Sequence, residues 1–403
     1  MAKKTTKVSV TDEMPEEDGP LESTSSKPVV STAKSGSTET AKPTVAKPTV
    51  HSTKKTMPKW AWYVVVGVVI LVAVAIIGWK MFGTSTTTNV VNETNTNTTE
   101  TETLVPRVLD GVPVQSDRAF TNIYAVVIEN EVSSRPPSGL DKASVVYETL
   151  AEGGITRFMA LFPVGQDVNQ MGPVRSARPY FVSWAEEYKA LFVHAGGSPQ
   201  ALSYLKSGKA NVFDFNQFYH GGNFIRDNAR SAPHNLYTDP AKLYSGLRGS
   251  AGRDAVPTYT SWLFKGETPL DNRPSSVNDI VVNFSSFNYK VTYKFDRVQN
   301  VYTRLVGEKA HVTRDGVQLA PKNVIVQFTK VGLIPNEKQR LDVTTVGSGK
   351  LLLFRDGTVT EGTWKKTSNI ARTEFLDASG NPLGLNPGQI WIDTVPTEAK
   401  VTY

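Results

Sequence analysis

The sequence predicts an α/β domain of the layered-sandwich class and then a smaller, mainly antiparallel β domain, both carried behind a single N-terminal transmembrane helix. Three observations carry this. Trp60 to Trp79 are twenty consecutive positions without a charged side chain. From Leu104 to residue 255, short β-branched and aromatic runs alternate with helix-start signals. From residue 277 onward, apolar and polar residues alternate with period two between turn residues.

Residues 1–57 come first and are rich in Thr, Ser, Lys, Pro and Glu, with a tandem Ala-Lys-Pro-Thr-Val at 41–50 and no periodic apolar positions. Such a segment cannot bury enough apolar surface to order itself, so it is expected to be a disordered cytoplasmic tail, a tether in preference to a docking segment. The next segment, 58–82, contains the apolar run. At ~1.5 Å per residue, twenty residues match the roughly 30 Å hydrocarbon thickness, and Trp60, Trp62, Tyr63 and Trp79 suit its two interfaces. A cleaved signal peptide would start near residue 1 with a shorter core. Lys42, Lys47, Lys54, Lys55 and Lys59 precede the run, whereas after Lys80 no basic residue appears until Arg107, which puts the N-terminus inside. Thr, Asn and Glu dominate 83–103, a linker that would hold the folded part off the membrane.

The exported part lacks cysteine and must rely on core burial, as suits a bacterial envelope protein. Of the net charge of +6, the first 59 residues supply ten lysines against seven acids and Lys80 adds one more, leaving +2 for the rest. The basic balance therefore belongs mostly to the inner tail together with Lys80 after the apolar run, and no nucleic-acid partner is expected.

Within 104–255, Ile123 to Ile128, Ser144 to Tyr147, Ile155 to Phe162 and Ala190 to Val193 read as buried strands. Ser176 to Tyr188 can form a helix, and Ser198-Pro199 and Asp239-Pro240 each pair a capping side chain with a proline at the first helical position. A Gly-, Arg-, Asp- and Pro-containing stretch at 256–276 forms the junction. In 277–403, strands are expected at Val277 to Phe284, Asn288 to Phe295, Val298 to Leu305, Asn323 to Thr329, Leu341 to Val346, Lys350 to Phe354 and Gln389 to Val395, with hairpin turns at Asp356-Gly357 and Ser379-Gly380.

Two segments carry the chemistry. Gly172 to Tyr180 contains Arg175 and Arg178, and Arg226 to Asn235 contains Arg226, Arg230, His234 and Asn235. Arginine presents a planar, permanently charged fork to carboxylate or phosphate, so two close pairs in turn-rich sequence point to an anion site. A helical first turn after Gly-Pro would set Arg175 and Arg178 on one side of a positive helix end; the alternative is that they pair with Glu148, Glu152 or Glu186. His234 could move protons near neutral pH with Asn235 holding its tautomer, or be a hydrogen-bonded loop residue. His194 with Gly196-Gly197-Ser198 gives strand, glycine loop and helix start, a common ligand geometry and equally a tight turn. Glu148 and Glu152 could serve a ligand, but no metal-binding spacing accompanies them, so no metal is expected, and no motif names a cofactor. Phe213, Phe215, Phe218, Tyr219 and Phe224 could stack on sugar rings or pack the core. Trp364 and Trp391 read as core or domain-interface anchors.

Gly172 to Tyr180, His194-Ala195-Gly196-Gly197-Ser198, Arg226 to Thr238, Gly362-Thr363-Trp364-Lys365-Lys366 and Asn386 to Ile392 together resemble the YerB-like lipoprotein family over most of residues 110–398. The resemblance implies a two-part envelope protein with an α/β sandwich N-terminal part. That family is a domain of unknown function, and no catalytic residue is carried over from it. The chain departs from the family in having no lipobox cysteine; the Trp60 to Trp79 run takes the place of the lipid anchor. The expected function is binding of an anionic wall glycan, phosphate or carboxylate group, or of an envelope partner, through an arginine-rich cleft. The competing class is an envelope phosphodiesterase or phosphotransferase acting on glycan-phosphate, with His194 or His234 moving protons. The order of inner tail, one span and outer arginine-rich α/β domain is also similar to wall-polymer phosphotransferases of the LytR-like class, an analogy in layout only.

Overall fold

The computed structural model describes residues 103–247 and 257–403. The expected tail, the spanning helix and all but the last residue of the linker lie outside the described residues. Among the described residues no helix is long and apolar enough to cross a membrane.

A ten-stranded mixed sheet organises the fold. Its strands run in the order Glu374–Leu376, Thr358–Lys366, Gly347–Arg355, Asn323–Thr329, Ile390–Pro396, Val145–Leu150, Thr156–Pro163, Ile123–Glu129, Leu191–His194 and Phe213–Asn216. Five come from before the junction and five from after it. The join is Ile390–Pro396, which pairs in parallel with Asn323–Thr329 on one side and Val145–Leu150 on the other, Ile392 facing both Ile325 and Tyr147. All three strands are almost wholly buried, which is why their sequences are nearly continuous apolar runs.

A separate five-stranded sheet is purely antiparallel, in the order Lys309–Ala310, Val301–Val306, Lys290–Asp296, Ile280–Asn283, Val401–Thr402. It covers one face of the large sheet. Because successive side chains alternate, Tyr124, Val126 and Ile128 share a core with Ile280, Val282, Val291 and Tyr293, whereas Ile123, Ala125 and Val127 share one with Phe181, Trp184 and Tyr188 of the helical layer. Each fully buried side chain of this size contributes about 1.5–3 kcal/mol.

Only three α-helices occur among the described residues: Pro179–Glu186, Pro199–Lys206 and Pro240–Gly246. The described part of the chain is therefore mostly β, with fewer helices than an α/β reading implies, and the strands that follow the junction are divided among three sheets, the third a two-stranded one of Val331–Leu333 and Leu341–Val343. Ser198 and Asp239 cap their helices as their sequence predicts, accepting hydrogen bonds from Ala201 N and Lys242 N. The first helix is shorter than expected. Pro179 occupies its first turn and Arg178 is extended before it, so Ser176 and Ala177 are excluded.

Asp356-Gly357 makes the expected two-residue hairpin between Gly347–Arg355 and Thr358–Lys366, both residues at positive φ. Trp364 is buried and donates its indole N–H to Phe328 O at 2.7 Å. Trp391, also buried, packs edge-on against Phe158 at 5.6 Å and so joins residues from the two halves of the chain.

Candidate functional site

Strands Ile123–Glu129, Leu191–His194 and Phe213–Asn216 run parallel, so their C-terminal ends lie along one edge of the sheet. The segment carrying Arg175 and Arg178 is laced across two of these ends. Arg175 N donates to Val127 O at 2.9 Å, Ala195 N to Arg175 O at 3.1 Å, and Ala177 N to Gly196 O at 3.0 Å. Ligands in open α/β sheets favour this end of the strands, where backbone groups leave the ladder.

Four strand-end and loop elements supply a band of charge here. Glu129 ends its strand directly opposite Arg157 in register. Arg175 Nε lies 3.0 Å from Glu129 Oε1, an ion-pair distance whose angle makes no hydrogen bond. Arg178 is buried, pairs through Nε with Glu152 and donates from Nη1 to Ala177 O at 2.7 Å. Arg157 is also buried; its Nη2 lies 3.6 Å from Glu152 Oε2 and its Nη1 donates to Ser176 O at 3.2 Å. Three guanidinium groups thus share two carboxylates, and Arg175, with 18% of its side chain exposed, is the most accessible of the three.

The electrostatics follow from this crowding. Burial, and then the positive charge of Arg178, brings the Arg157 guanidinium down to about 10; Glu152 opposes that and Arg175 adds to it. Burial would raise Glu152, but the hydrogen bond from Arg178 and the charges of Arg157 and Arg178 outweigh it and hold the carboxyl at about 2.

The second arginine pair is placed differently. Arg226 donates to Asn235 Oδ1 at 2.9 Å, and Asn235 Nδ2 donates to Arg230 O at 3.1 Å. Arg230 staples two loops: it donates to Pro136 O and the Tyr237 hydroxyl at 2.9 Å each, and to Ser134 O. Arg226 therefore closes its own loop and Arg230 ties that loop to residues 134–136, and the four guanidinium groups expected to share one cleft separate into two pairs. The link between the segments is His234, whose Nδ1 lies 3.0 Å from the second oxygen of Glu129, with 25% of the side chain exposed.

Several expected site residues serve the scaffold. Arg175 and Arg178 precede the helix instead of lying on its first turn, so a helix end does not present them. His194 is fully buried, with Nδ1 2.7 Å from Gly196 O and Nε2 2.7 Å from Asp214 Oδ1. One ring nitrogen fixes the glycine loop and the other the Asp214 carboxylate of the neighbouring strand, and the buried ring does not face solvent, which corrects the reading of His194 as a proton-transfer group. Gly196 has φ +62, and a Cβ there would lie 2.8 Å from the Phe218 ring; one at Gly197 would lie 3.1 Å from the Ala177 Cβ. The glycines answer to close packing, and the Ser198 hydroxyl to its helix. Asn235 uses its amide on the arginine loop.

Glu148 is likewise not a surface ligand. It has no exposure and lies between the two sheets, accepting from Thr156 Oγ1 at 2.7 Å and Asn130 Nδ2 at 3.2 Å and pairing with Arg304. Only Glu152 of that carboxylate pair belongs to the charged band. Among the described residues no three His, Asp or Glu side chains gather as a metal site.

Glu129 and Arg157 were absent from the sequence-derived site, yet they are its centre. Their signal is positional: each is a charge at the end of an otherwise apolar strand, Ile-Tyr-Ala-Val-Val-Ile-Glu and Thr-Arg-Phe-Met-Ala-Leu-Phe.

Comparison with known proteins places the chain in a family. The family models described as "Protein of unknown function (DUF3048)", N-terminal domain and C-terminal domain, match residues 109–253 and 280–392. The Bacillus subtilis (strain 168) protein described as "Putative lipoprotein YerB" is 34% identical over 301 residues, 72% of this chain and 85% of the relative. The crystal structure of YerB from Bacillus subtilis superposes with a TM-score of 0.65 at 30% identity, over 74% of this chain and all of that one. The chain belongs to the YerB-like DUF3048 family, with both of the family's domains present in order.

Proposed function

We propose that this chain is a membrane-anchored, extracytoplasmic cell-envelope protein that binds an anionic ligand at the Arg157, Arg175 and Arg178 band. The ligand class is a phosphate or carboxylate group on a wall glycan or on an envelope partner. One observation carries the reading: three guanidinium groups share two carboxylates, and the most accessible of them, Arg175, sits at ion-pair distance from Glu129 without a hydrogen bond. Burial is the main reason that Arg157 is pulled down, and an incoming anion would offset both the burial and the repulsion from Arg178 that adds to it. Anchoring outside the membrane is supported by the apolar run at Trp60 to Trp79 with its lysine bias, and by the lipoprotein description of the relative.

The test is titration calorimetry on the full chain in detergent micelles with inorganic phosphate, glycerol phosphate and acidic wall fragments. Wild type is expected to bind at least one, with Arg175→Ala at least tenfold weaker. Equal binding by both proteins rejects the reading.

A second reading, phosphodiester or phosphotransfer chemistry, rests on His234: a carboxylate holds its imidazole beside a guanidinium, an arrangement able to pass a proton to a phosphate ester. Turnover of a phosphodiester by wild type, lost in His234→Ala with binding retained, would establish it.

A further inference from the structure

The two most exposed aromatic side chains among the described residues are neighbours, Phe218 at 72% and Tyr219 at 75%. They follow the Phe213–Asn216 strand, at the sheet edge where Arg175 is laced. The aromatic run of this region is divided by the fold: Phe215 and Phe224 are buried in the core, and Phe218 and Tyr219 are turned out. Turning out two rings forgoes the burial that each would otherwise contribute.

The turn that holds them outward is tightly bonded. Gln217 N donates to His194 O at 2.8 Å, and Tyr219 N and His220 N to Asn216 O at 3.0 and 3.1 Å. Buried Asn216 also accepts on its side-chain oxygen from Gly196 N at 3.0 Å and Phe218 N at 3.2 Å, knitting the aromatic turn to the glycine loop. His220 stacks on Phe215 with centroids 4.1 Å apart, which roots the far side of the turn. The Phe218 ring leans on Gly196, and the next residue back, Ala195, bonds to Arg175 O. The aromatic pair therefore adjoins the arginine band through two consecutive residues, Ala195 and Gly196.

Resting on the anion-binding reading, we propose that Phe218 and Tyr219 are the sugar-stacking platform of the same site and that its ligand is an anionic polysaccharide. Sugar rings pack their C–H faces on the two aromatics while a carboxylate or phosphate substituent meets Arg175. The surroundings favour a glycan over a protein hot spot. Their neighbours in sequence include Asp214, Gln217 and His220, whose polar side chains suit sugar hydroxyls. A membrane surface is disfavoured because no lysine occurs from residue 210 to 241 and both arginines there are engaged, Arg226 with Asn235 and Arg230 with Ser134 O and Pro136 O.

The experiment uses the full chain in detergent micelles with three probes: an uncharged N-acetylglucosamine oligomer, the same oligomer bearing phosphate, and free glycerol phosphate. The Phe218→Ala/Tyr219→Ala double variant is expected to bind the phosphorylated oligomer about tenfold more weakly with unchanged affinity for glycerol phosphate. Arg175→Ala is expected to weaken both charged probes. Because the two rings are exposed, the double variant should melt as wild type does, which separates lost stacking from lost structure. If the double variant binds the phosphorylated oligomer as wild type does while Arg175→Ala does not, the platform is refuted and the anion site stands. If instead the aromatic variant loses binding and Arg175→Ala keeps it, the anion site is refuted. Aromatic-dependent binding to glycan-free anionic vesicles, or no binding of any probe by wild type, overturns the proposal.

Discussion

Glu129 is shared between two side chains: one carboxylate oxygen lies 3.0 Å from Arg175 Nε and the other 3.0 Å from His234 Nδ1, and the residue is 3% exposed. The same carboxylate that orders the two loops also neutralises part of the arginine band. The Glu129→Gln variant keeps the shape and deletes the charge. It is expected to lose about 1–3 kcal/mol of unfolding free energy in a denaturant titration and to bind phosphate more tightly. Weaker phosphate binding would mean that Glu129 acts by holding Arg175 in place.

Glu152 gives the site an acid dependence. Its folded value, about 2, lies below the ordinary value of 4.5, so the stabilisation is complete above the ordinary value and is lost as pH falls through about 2. A shift of that size corresponds to roughly 2–3 kcal/mol, an upper figure because the group keeps some solvent contact. The Glu152→Gln variant is expected to be less stable than wild type at pH 7 and to show a flatter stability profile between pH 4.5 and 2. Parallel profiles for the two proteins would show that the arginine pairing stores no stability.

What the sequence made legible was local. Asn323 to Thr329 is a strand because seven residues in a row suit a buried sheet interior, and Ser198-Pro199 and Asp239-Pro240 start helices because cap and proline act within one turn. Thr358–Lys366 was missed because its polar residues, from Thr358 to Glu361, look outward, leaving Trp364 as its one large apolar residue. The pairing of Ile390–Pro396 with Val145–Leu150 has no local signal at all, since the partners lie more than two hundred residues apart. For the site, residue type identified Arg175, Arg178 and His234, but which carboxylate each would meet depended on that long-range pairing. His194 and Glu148 were misread for the same reason: a histidine before a glycine loop and a glutamate in a strand read alike whether the sheet covers them or not.

Arg304 ties the two sheets together. Its side chain is completely buried, pairs with Glu148 across the sheet interface, donates from Nε to the Tyr293 hydroxyl at 3.2 Å and lies 4.5 Å from the Trp391 ring centre. Asp393, beside Glu148 in register, is raised above the usual carboxylate range by burial and then by the charge of Glu148. The Arg304→Met variant strands Glu148 in the core and is expected to cost about 3–5 kcal/mol. Adding Glu148→Gln removes the stranded charge, so the double variant should recover at least ~1 kcal/mol relative to Arg304→Met alone. Strict additivity in the double-mutant cycle would show that the pair does not act as a unit.

Gly362, in the Gly-Thr-Trp motif, tests whether the motif is structural. A Cβ at this position would lie 2.2 Å from Leu376 O, the backbone of the neighbouring edge strand, so alanine cannot enter without moving Glu374–Leu376 away. Gly332 is also a strand glycine, but a Cβ there meets nothing within 4 Å. The two alanine substitutions share the same change in intrinsic strand preference and differ in space. Overpacking of this kind costs about 1–3 kcal/mol, so Gly362→Ala is expected to lower the melting temperature by several degrees and Gly332→Ala to leave it unchanged or raise it slightly. Hydrogen exchange should locate the loss in the Glu374–Leu376 strand, next to Trp364. If both variants melt alike, close approach does not explain the glycine, and a surface role for the motif becomes the stronger account.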